Sequence, residues 1–313
     1  MKKNIYVYEE CAVIGKAGAQ LHVHIHDELI YNEPFSNIES VILFERAQVT
    51  TQCLCALMRH DVPVIYTTRS GYIIGCAYPR YTERPLLKLA QYKMADNQDI
   101  CLGYAKKIVR AKIIGQWNTL NGYRNAAAPK LKRMANASMA AEDIQSLLGY
   151  EGSAASLYFD SFGQCLRAMS YNGRDTHPAH DPVNALLNLT YTLALYKIDS
   201  VLFAQGFDTT LGFLHATFRD RLSLALDVLE PFRGTLDRFV LKIINRLEIQ
   251  KEDFEYNEEG CTLNKEGFSR YIERYEKDVN ILPLVGEISA RLKKSFIAGE
   301  AGEFELDDLF DML

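Results

Sequence analysis

No Cys-x-x-Cys occurs in this chain of 313 residues. Its cysteines stand scattered at 11, 53, 55, 76, 101, 165 and 261, and the Cys53/Cys55 spacing is wrong for a zinc knuckle. That pattern predicts reduced, buried thiols in a cytoplasmic protein rather than a disulfide framework. Long apolar runs are lacking too. The longest uncharged one, Pro182–Tyr196, contains Asn and Thr, is ended by Lys197 and Asp199, and is shorter than the ~20 apolar residues of a membrane span. It predicts a buried helix and no membrane partner. The start, MKKNIYVYEE, lacks the apolar stretch of a signal peptide. There is no internal repeat and no low-complexity tract. No Ser/His/Asp or Cys/His arrangement stands out, so no covalent nucleophile is indicated.

Acidic residues are missing from one stretch. The formal charge is −5, yet Ile100–Ala141 holds no Asp or Glu while carrying Lys106, Lys107, Arg110, Lys112, Arg124, Lys130, Lys132 and Arg133. The compensating acids gather in Glu252–Glu259 and between Glu300 and Asp311. A segregated basic segment is the footprint expected of a polyanion-binding surface. A solvated helix face paired to acids of another element has the same composition.

Two folding patterns share the chain. Up to about Tyr78, short β-branched and aromatic runs recur at Ile5–Tyr8, Leu21–Ile25, Val41–Phe44, Val62–Tyr66 and Tyr72–Tyr78. Ser70-Gly71 marks a turn between the last two, and Gln48–Arg59 reads as a short helix. The prolines of PRYTERP at 79–85 disfavour helix and mark a linker. Helical patterns follow at Leu87–Gly122, Ala140–Gly149 and Gly152–Ala168, and from Asp181-Pro182 to about Phe203. More are expected from Phe218 to Leu229 and over Leu236–Leu247, Lys265–Asp278 and Leu282–Phe296. The fold class is α+β: a small β-sandwich-like domain over 1–78, a linker over 79–86 and an all-α domain over 87–298. An acidic tail over 299–313 is expected to be mobile, with apolar residues able to dock on a partner.

Three ordered strings carry residues suited to metal chemistry: GYEGSAA around Glu151, GFLH ending at His215, and LALDVLEPFR with Asp227 and Glu230. Two hard oxygen ligands and an imidazole suit Mg²⁺ or Mn²⁺, and such a site serves phosphodiester chemistry. Each residue also has a plainer explanation. Asp227 and Glu230 are neighbours on one helical turn, and exposure beside Arg219, Arg221 or Arg233 would relieve their repulsion. A helix start would favour Glu151 through its dipole. A lone histidine in apolar surroundings is often a satisfied core residue. His22, His24 and His26 alternate along a strand and form a second candidate, for zinc, or the solvated face of a half-buried strand; His177 and His180, near Arg174, stand the same way.

Taken together, these strings resemble the CRISPR-associated integrase family of spacer acquisition, usually called Cas one. LGYEGSAASLYF resembles the family's first metal-ligand motif, GFDTTLGFLH its glycine-rich approach to a histidine ligand, and LSLALDVLEPFR the segment of its last carboxylates. HDPVNALLN resembles a helix start between the first two, and AKKIVRAKIIGQWNTL a basic helix near the linker. The resemblance implies that Glu151, His215 and Glu230 hold Mg²⁺ or Mn²⁺, with Asp227 as a supporting or alternate acid. Some members carry Asp where this chain has Glu230. It implies a β domain that forms homodimers, a helical catalytic domain, and a small second adaptation protein as partner. The implied reaction joins 3′-hydroxyl ends of short DNA duplexes into the CRISPR repeat array by transesterification. Arg219, Arg221 and Arg233 are expected to brace phosphates near the metal. Lys106, Arg110, Arg124, Lys130, Lys132 and Arg133 are expected to track duplex DNA. A nuclease that only cuts branched DNA, or a non-catalytic DNA-binding scaffold, would share many of these features.

Overall fold

Apolar residues alternating with polar ones build the first unit. Its elements are β1 (Lys3–Val7), β2 (Ala12–Ala17), β3 (Gln20–Ile25), β4 (Glu28–Pro34), β5 (Ile38–Phe44), β6 (Gln48–Val49), α1 (Thr51–Arg59), β7 (Val64–Thr67) and β8 (Ile73–Ala77). On β3, Leu21 and Val23 are buried while His22 and His24 take the other face, as the two-residue strand period requires. Strands β1, β5 and β7 run parallel, with β8 antiparallel at the edge. The second sheet has the order β4-β3-β2-β6. Ile5 and Val41 from one sheet, Ile14 and Leu21 from the other, and Leu57 from α1 meet in one core. The helix expected over Gln48–Arg59 is shorter than its composition implied. Gln48–Val49 pairs with β2, and the Thr50 side chain accepts the Cys53 N–H to cap α1.

This computed structural model describes residues 2–44, 46–68, 73–78, 85–175, 178–215, 221–257, 260–306 and 308–309. The Ser70-Gly71 turn and most of the expected linker lie outside them. The chain divides into two units, Met1–Glu83 and Arg84–Leu313.

The second unit is mainly helical: α2 (Pro85–Ala95), α3 (Gln98–Gly122), α4 (Ala128–Ala137), α5 (Ile144–Phe162), α6 (Pro182–Ala204), α7 (Ser223–Leu229) and α8 (Arg233–Asn245). Then come β9 (Phe254–Asn257), β10 (Gly260–Leu263), α9 (Lys265–Asp278) and α10 (Leu282–Ala298). Side-chain caps start α3, α5, α6 and α9. Asn97 accepts N–H groups of Asp99 and Ile100 and starts α3, dividing the Leu87–Gly122 pattern into two helices. Asp181 caps α6 with Pro182 in the first turn, as expected.

Three expectations needed correction. The helices expected over Ala140–Gly149 and Gly152–Ala168 are one element, α5, started by an Asp143/Ser146 capping box. It runs through Gly149 and Gly152, so Glu151 sits within a helix and the helix-start explanation for its charge falls away. The unit is not all-α, because β9 and β10 form an antiparallel hairpin. The acidic tail, in its described residues, is docked on its own unit, and Phe310 lies outside them. Phe304, Leu306 and Leu309 are buried, Phe304 lies 5.2 Å from the Tyr104 ring, and Lys107 donates to the Ala301 carbonyl at 2.8 Å. Among the described residues no helix is long and apolar enough to cross a membrane.

Candidate metal centre

Helix α3 passes through the middle of the second unit and meets α8 at a glycine pair. A Cβ on Gly234 would fall 2.1 Å from the carbonyl carbon of Gly115. No side chain separates the two backbones there, and Thr119 seals the contact by donating to the Gly234 carbonyl at 2.6 Å. This close approach brings the short 3-10 turn Glu230–Phe232, which leads into α8, against α3. Lys112 lies one turn before Gly115, and Glu230 one turn before Gly234. Their side chains meet, with Lys112 Nζ 2.7 Å from Glu230 Oε2. The same ammonium donates to Glu151 Oε1 from α5.

His215 reaches this point on a loop held from several sides. The Gln91 amide of α2 donates to the carbonyls of Asp208 and Leu211 at 2.8 and 2.9 Å and accepts the Asp208 N–H. Phe213 stacks on Tyr104 at 4.3 Å between centroids. Asp227, fully buried on α7, accepts the backbone N–H groups of Phe213, Leu214 and His215 at 2.6, 3.1 and 3.0 Å. Gly212 is required there, because a Cβ would stand 2.7 Å from Asp227 Oδ2 and 2.8 Å from the Ser223 backbone. Asp227 Oδ1 also lies 2.7 Å from His215 Nδ1. A carboxylate only accepts, so Nδ1 carries a proton and Nε2 is the ring nitrogen left to face Glu230. Nε2 stands 3.9 Å from Glu230 Oε1.

The exposed-pair explanation for Asp227 and Glu230 therefore fails, since both are buried. Burial alone pushes the Glu230 carboxyl up. The charges of Arg233 and Lys112, with His215, more than offset this and hold it at about 2. Arg233 Nε donates to Glu230 Oε1 at 2.9 Å, and its guanidinium lies 4.5 Å from the Tyr191 ring centre. Behind it, buried Asp237 on α8 accepts from Tyr158 of α5 at 2.8 Å and from Tyr191 of α6. Burial raises the Asp237 carboxyl to about 6, against the pull of the two hydroxyls and of Arg233 and Arg174.

The structure thus gathers Glu151, His215, Asp227 and Glu230 from α5, a loop, α7 and the turn after it. It also adds Lys112 and Arg233, and the Tyr158–Asp237–Tyr191 brace. Lys112 counted in the sequence only as one charge of the basic segment. Nothing in the sequence told it from Lys106 or Lys107, because its role depends on which helices cross at Gly115. Among the described residues no three His, Cys, Asp or Glu side chains stand close enough to hold an ion as they are. The Lys112 ammonium lies between the two carboxylates. The donor set nonetheless fits a divalent cation. Two carboxylates already share one positive charge, Glu230 Oε2 has no aligned hydrogen bond, and an oriented imidazole adjoins them.

The other candidates separate by position. Lys130, Lys132 and Arg133 are exposed on α4, with Lys132 over the Trp117 ring at 4.4 Å, and Arg124 is exposed after α3. Lys106 and Arg110 are half-buried, and Lys107 pairs with Glu305 of the tail. Arg221 is exposed; Arg219 lies outside the described residues, as does His177. Arg233, expected at the phosphates, is committed to Glu230 and Tyr191. On β3, His22 and His24 share a face with ring centres 6.0 Å apart, but His26 leaves the strand in a turn at φ 48°, which breaks the expected trio. His180 pairs with Asp175 at 2.6 Å on the surface.

Comparison with known proteins places nearly the whole chain in one family. A family model described as CRISPR associated protein Cas1 matches residues 5–277. A Thermus thermophilus protein named CRISPR-associated endonuclease Cas1 3 is 30% identical over 96% of this chain and 96% of its own length. A Rhodospirillum rubrum exonuclease Cas4/endonuclease Cas1 fusion is 30% identical over 92% of this chain, which spans 54% of the fusion. In fold, a CAS1 protein from Thermotoga maritima superposes with a TM-score of 0.87 at 24% identity, covering 96% of this chain and 98% of that one. A casposase bound to integration product superposes at 0.84 and 20% identity, over 98% and 95% of the two chains.

Proposed function

The chain belongs to the CRISPR-associated Cas1 family, and from that premise we propose that it is a divalent-metal-dependent DNA endonuclease and integrase of spacer acquisition. It joins the 3′-hydroxyl ends of short duplexes into the CRISPR repeat array by transesterification. The observation that carries this reading is the convergence of Glu151 and Glu230 on one cation position, with the Asp227-fixed His215 beside them.

Glu151, His215 and Glu230 would hold Mg²⁺ or Mn²⁺, which supplies the charge that polarises a scissile phosphate and favours a deprotonated 3′-oxygen. The chain's own residues do the rest. Asp227 holds the His215 ring in one tautomer and orientation. Arg233 keeps Glu230 ionised although buried, and the Tyr158–Asp237–Tyr191 brace holds the elements around Arg233. No side chain forms a covalent intermediate; positioning and charge neutralisation carry the reaction. The exposed cations of α4 neutralise duplex phosphates. That a casposase of the same fold is known bound to its integration product supports the joining reading over cutting alone.

The same reading includes a homodimer formed through the first unit and the small second adaptation protein as partner. The first unit offers a self-association edge: β4 is a terminal strand of its sheet and carries Leu29, Ile30 and Tyr31 exposed at 47%, 48% and 37%.

The deciding experiment incubates a labelled duplex bearing free 3′-hydroxyls with a repeat-containing target and Mn²⁺, with and without the small partner. Joined product that disappears with EDTA and with Glu230→Ala is expected. Cutting without joining would favour the nuclease reading. DNA binding indifferent to Mn²⁺ and to Glu151→Ala, with no reaction, would favour the scaffold.

A further inference from the structure

We propose that Lys112 is the metal centre's built-in counter-cation: its ammonium and the divalent ion are alternative occupants of the space between Glu151 and Glu230. The inference rests on the metal-binding reading above and adds a competitor from within the chain.

Three observations carry it. First, one ammonium touches both carboxylates, 2.7 Å from Glu230 Oε2 and within hydrogen-bond reach of Glu151 Oε1, while Lys112 itself is only 12% exposed. Two carboxylates drawn together in a partly buried site repel strongly, and a buried charge left without a partner costs several kcal/mol. The fold therefore needs a cation here before any metal arrives. Second, the two basic residues on Glu230 are held differently. Arg233 is a planar fork fixed to Oε1 and packed on Tyr191. Lys112 meets Oε2 at 2.7 Å through a single ammonium that it shares with Glu151. A compact ammonium on a flexible four-carbon stem is readily displaced; a stacked guanidinium is not. Third, Lys112 and Arg233 together already offset two of the centre's three carboxylates, Glu151 and Glu230, leaving only Asp227. A divalent ion added beside both would leave excess positive charge in a partly buried site, so loading requires one of them to leave.

Lys112 thus holds the ligands near their working positions in the metal-free protein and sets a threshold for metal binding. It keeps the site assembled and lowers its affinity.

The test is direct Mn²⁺ binding to the full-length chain, by calorimetry and by the electron paramagnetic resonance of free Mn²⁺, for wild type, Lys112→Met and Lys112→Arg. Thermal unfolding is recorded alongside in EDTA and in Mn²⁺. Lys112→Met removes the competitor, so Mn²⁺ should bind about tenfold more tightly or better, the size typical of groups that position metal ligands. Its unfolding midpoint in EDTA should fall below that of wild type, and Mn²⁺ should raise it by more than it raises the wild type. Lys112→Arg supplies a more firmly held cation and should weaken Mn²⁺ binding. Folded Lys112→Met with unchanged or weaker Mn²⁺ affinity overturns the proposal. If Lys112→Met does not fold in EDTA, unchanged or tighter binding by Lys112→Arg does so instead. Wild type that binds no Mn²⁺ refutes the metal reading itself, and that result shows in the wild-type titration alone.

Discussion

Asp227 and Glu230 are one helical turn apart and do different work. Asp227 accepts three backbone N–H groups and the His215 ring, so it builds the loop that delivers the imidazole. Glu230 faces Lys112, Arg233 and His215. Glu230→Ala should abolish Mn²⁺-dependent cutting and joining. Asp227→Ala should leave measurable activity, reduced ~10–100-fold. It should also lower the unfolding temperature, because buried N–H donors lose their acceptor at about 1–3 kcal/mol each. A dead Asp227→Ala beside an active Glu230→Ala would reverse the two roles.

Asp237 gives a pH signature of its own. Its carboxyl is raised from 3.8 to about 6, so between these values the folded state binds the proton and the unfolded state does not. Its ionisation costs the fold nothing below pH 3.8, and on the order of 3 kcal/mol once the pH has risen through 6. Glu230 has the opposite sign: its stabilisation is present above 4.5 and fades as the pH falls toward 2. The window from pH 4.5 to 6 therefore belongs to Asp237. Asp237→Asn should flatten the decline of stability across it, measured by urea unfolding at fixed pH values. A decline as steep as in wild type would remove Asp237 as its source.

At the scale of elements, the centre depends on how α3 and α8 cross. Gly234→Ala would place a Cβ 2.1 Å from backbone that cannot yield. It should cost on the order of 1–3 kcal/mol and weaken Mn²⁺ binding, because Lys112 and Glu230 flank the contact. Gly149→Ala on α5 is the control of opposite sign. No atom lies within 4 Å of its Cβ position, so thermal unfolding should show a gain of up to about 1 kcal/mol. Helix α4 raises a different question, since its apolar side is buried and its lysines are exposed. Charge reversal at Lys130, Lys132 and Arg133 should flatten the dependence of duplex affinity on salt, each lost phosphate contact removing about 0.9 from the logarithmic slope. An unchanged slope would return α4 to an ordinary solvated face.

For the molecule as a whole, every side chain of the centre comes from the second unit, Arg84–Leu313. That unit has its own core, closed by the tail through Phe304, Leu306 and Leu309. A fragment over 85–313 should unfold cooperatively and bind Mn²⁺ as the full chain does, checked by thermal unfolding and calorimetry. Loss of Mn²⁺ binding in a folded fragment would show that the first unit is needed to assemble the centre.

Periodicity and capping are local, so much was legible in the chain alone. The β-rich start, α6 from Asp181-Pro182, α9, and the ligand-type residues Glu151, His215 and Glu230 with Asp227 were all readable in order. Pairing and burial are not local. Gln48–Val49 became a strand only because β2 offered a partner, α5 ran through two glycines that composition took for boundaries, and the tail docked because Tyr104 and its neighbours left an apolar seat. The same limit governs the centre. A sequence shows which residues have carboxylates, imidazoles and amines. Only the contact of Gly115 with Gly234 decides that Lys112, rather than another lysine of its helix, stands between Glu151 and Glu230. Electrostatic interaction depends on distance in space, and a chain's order does not encode that distance until its helices have packed.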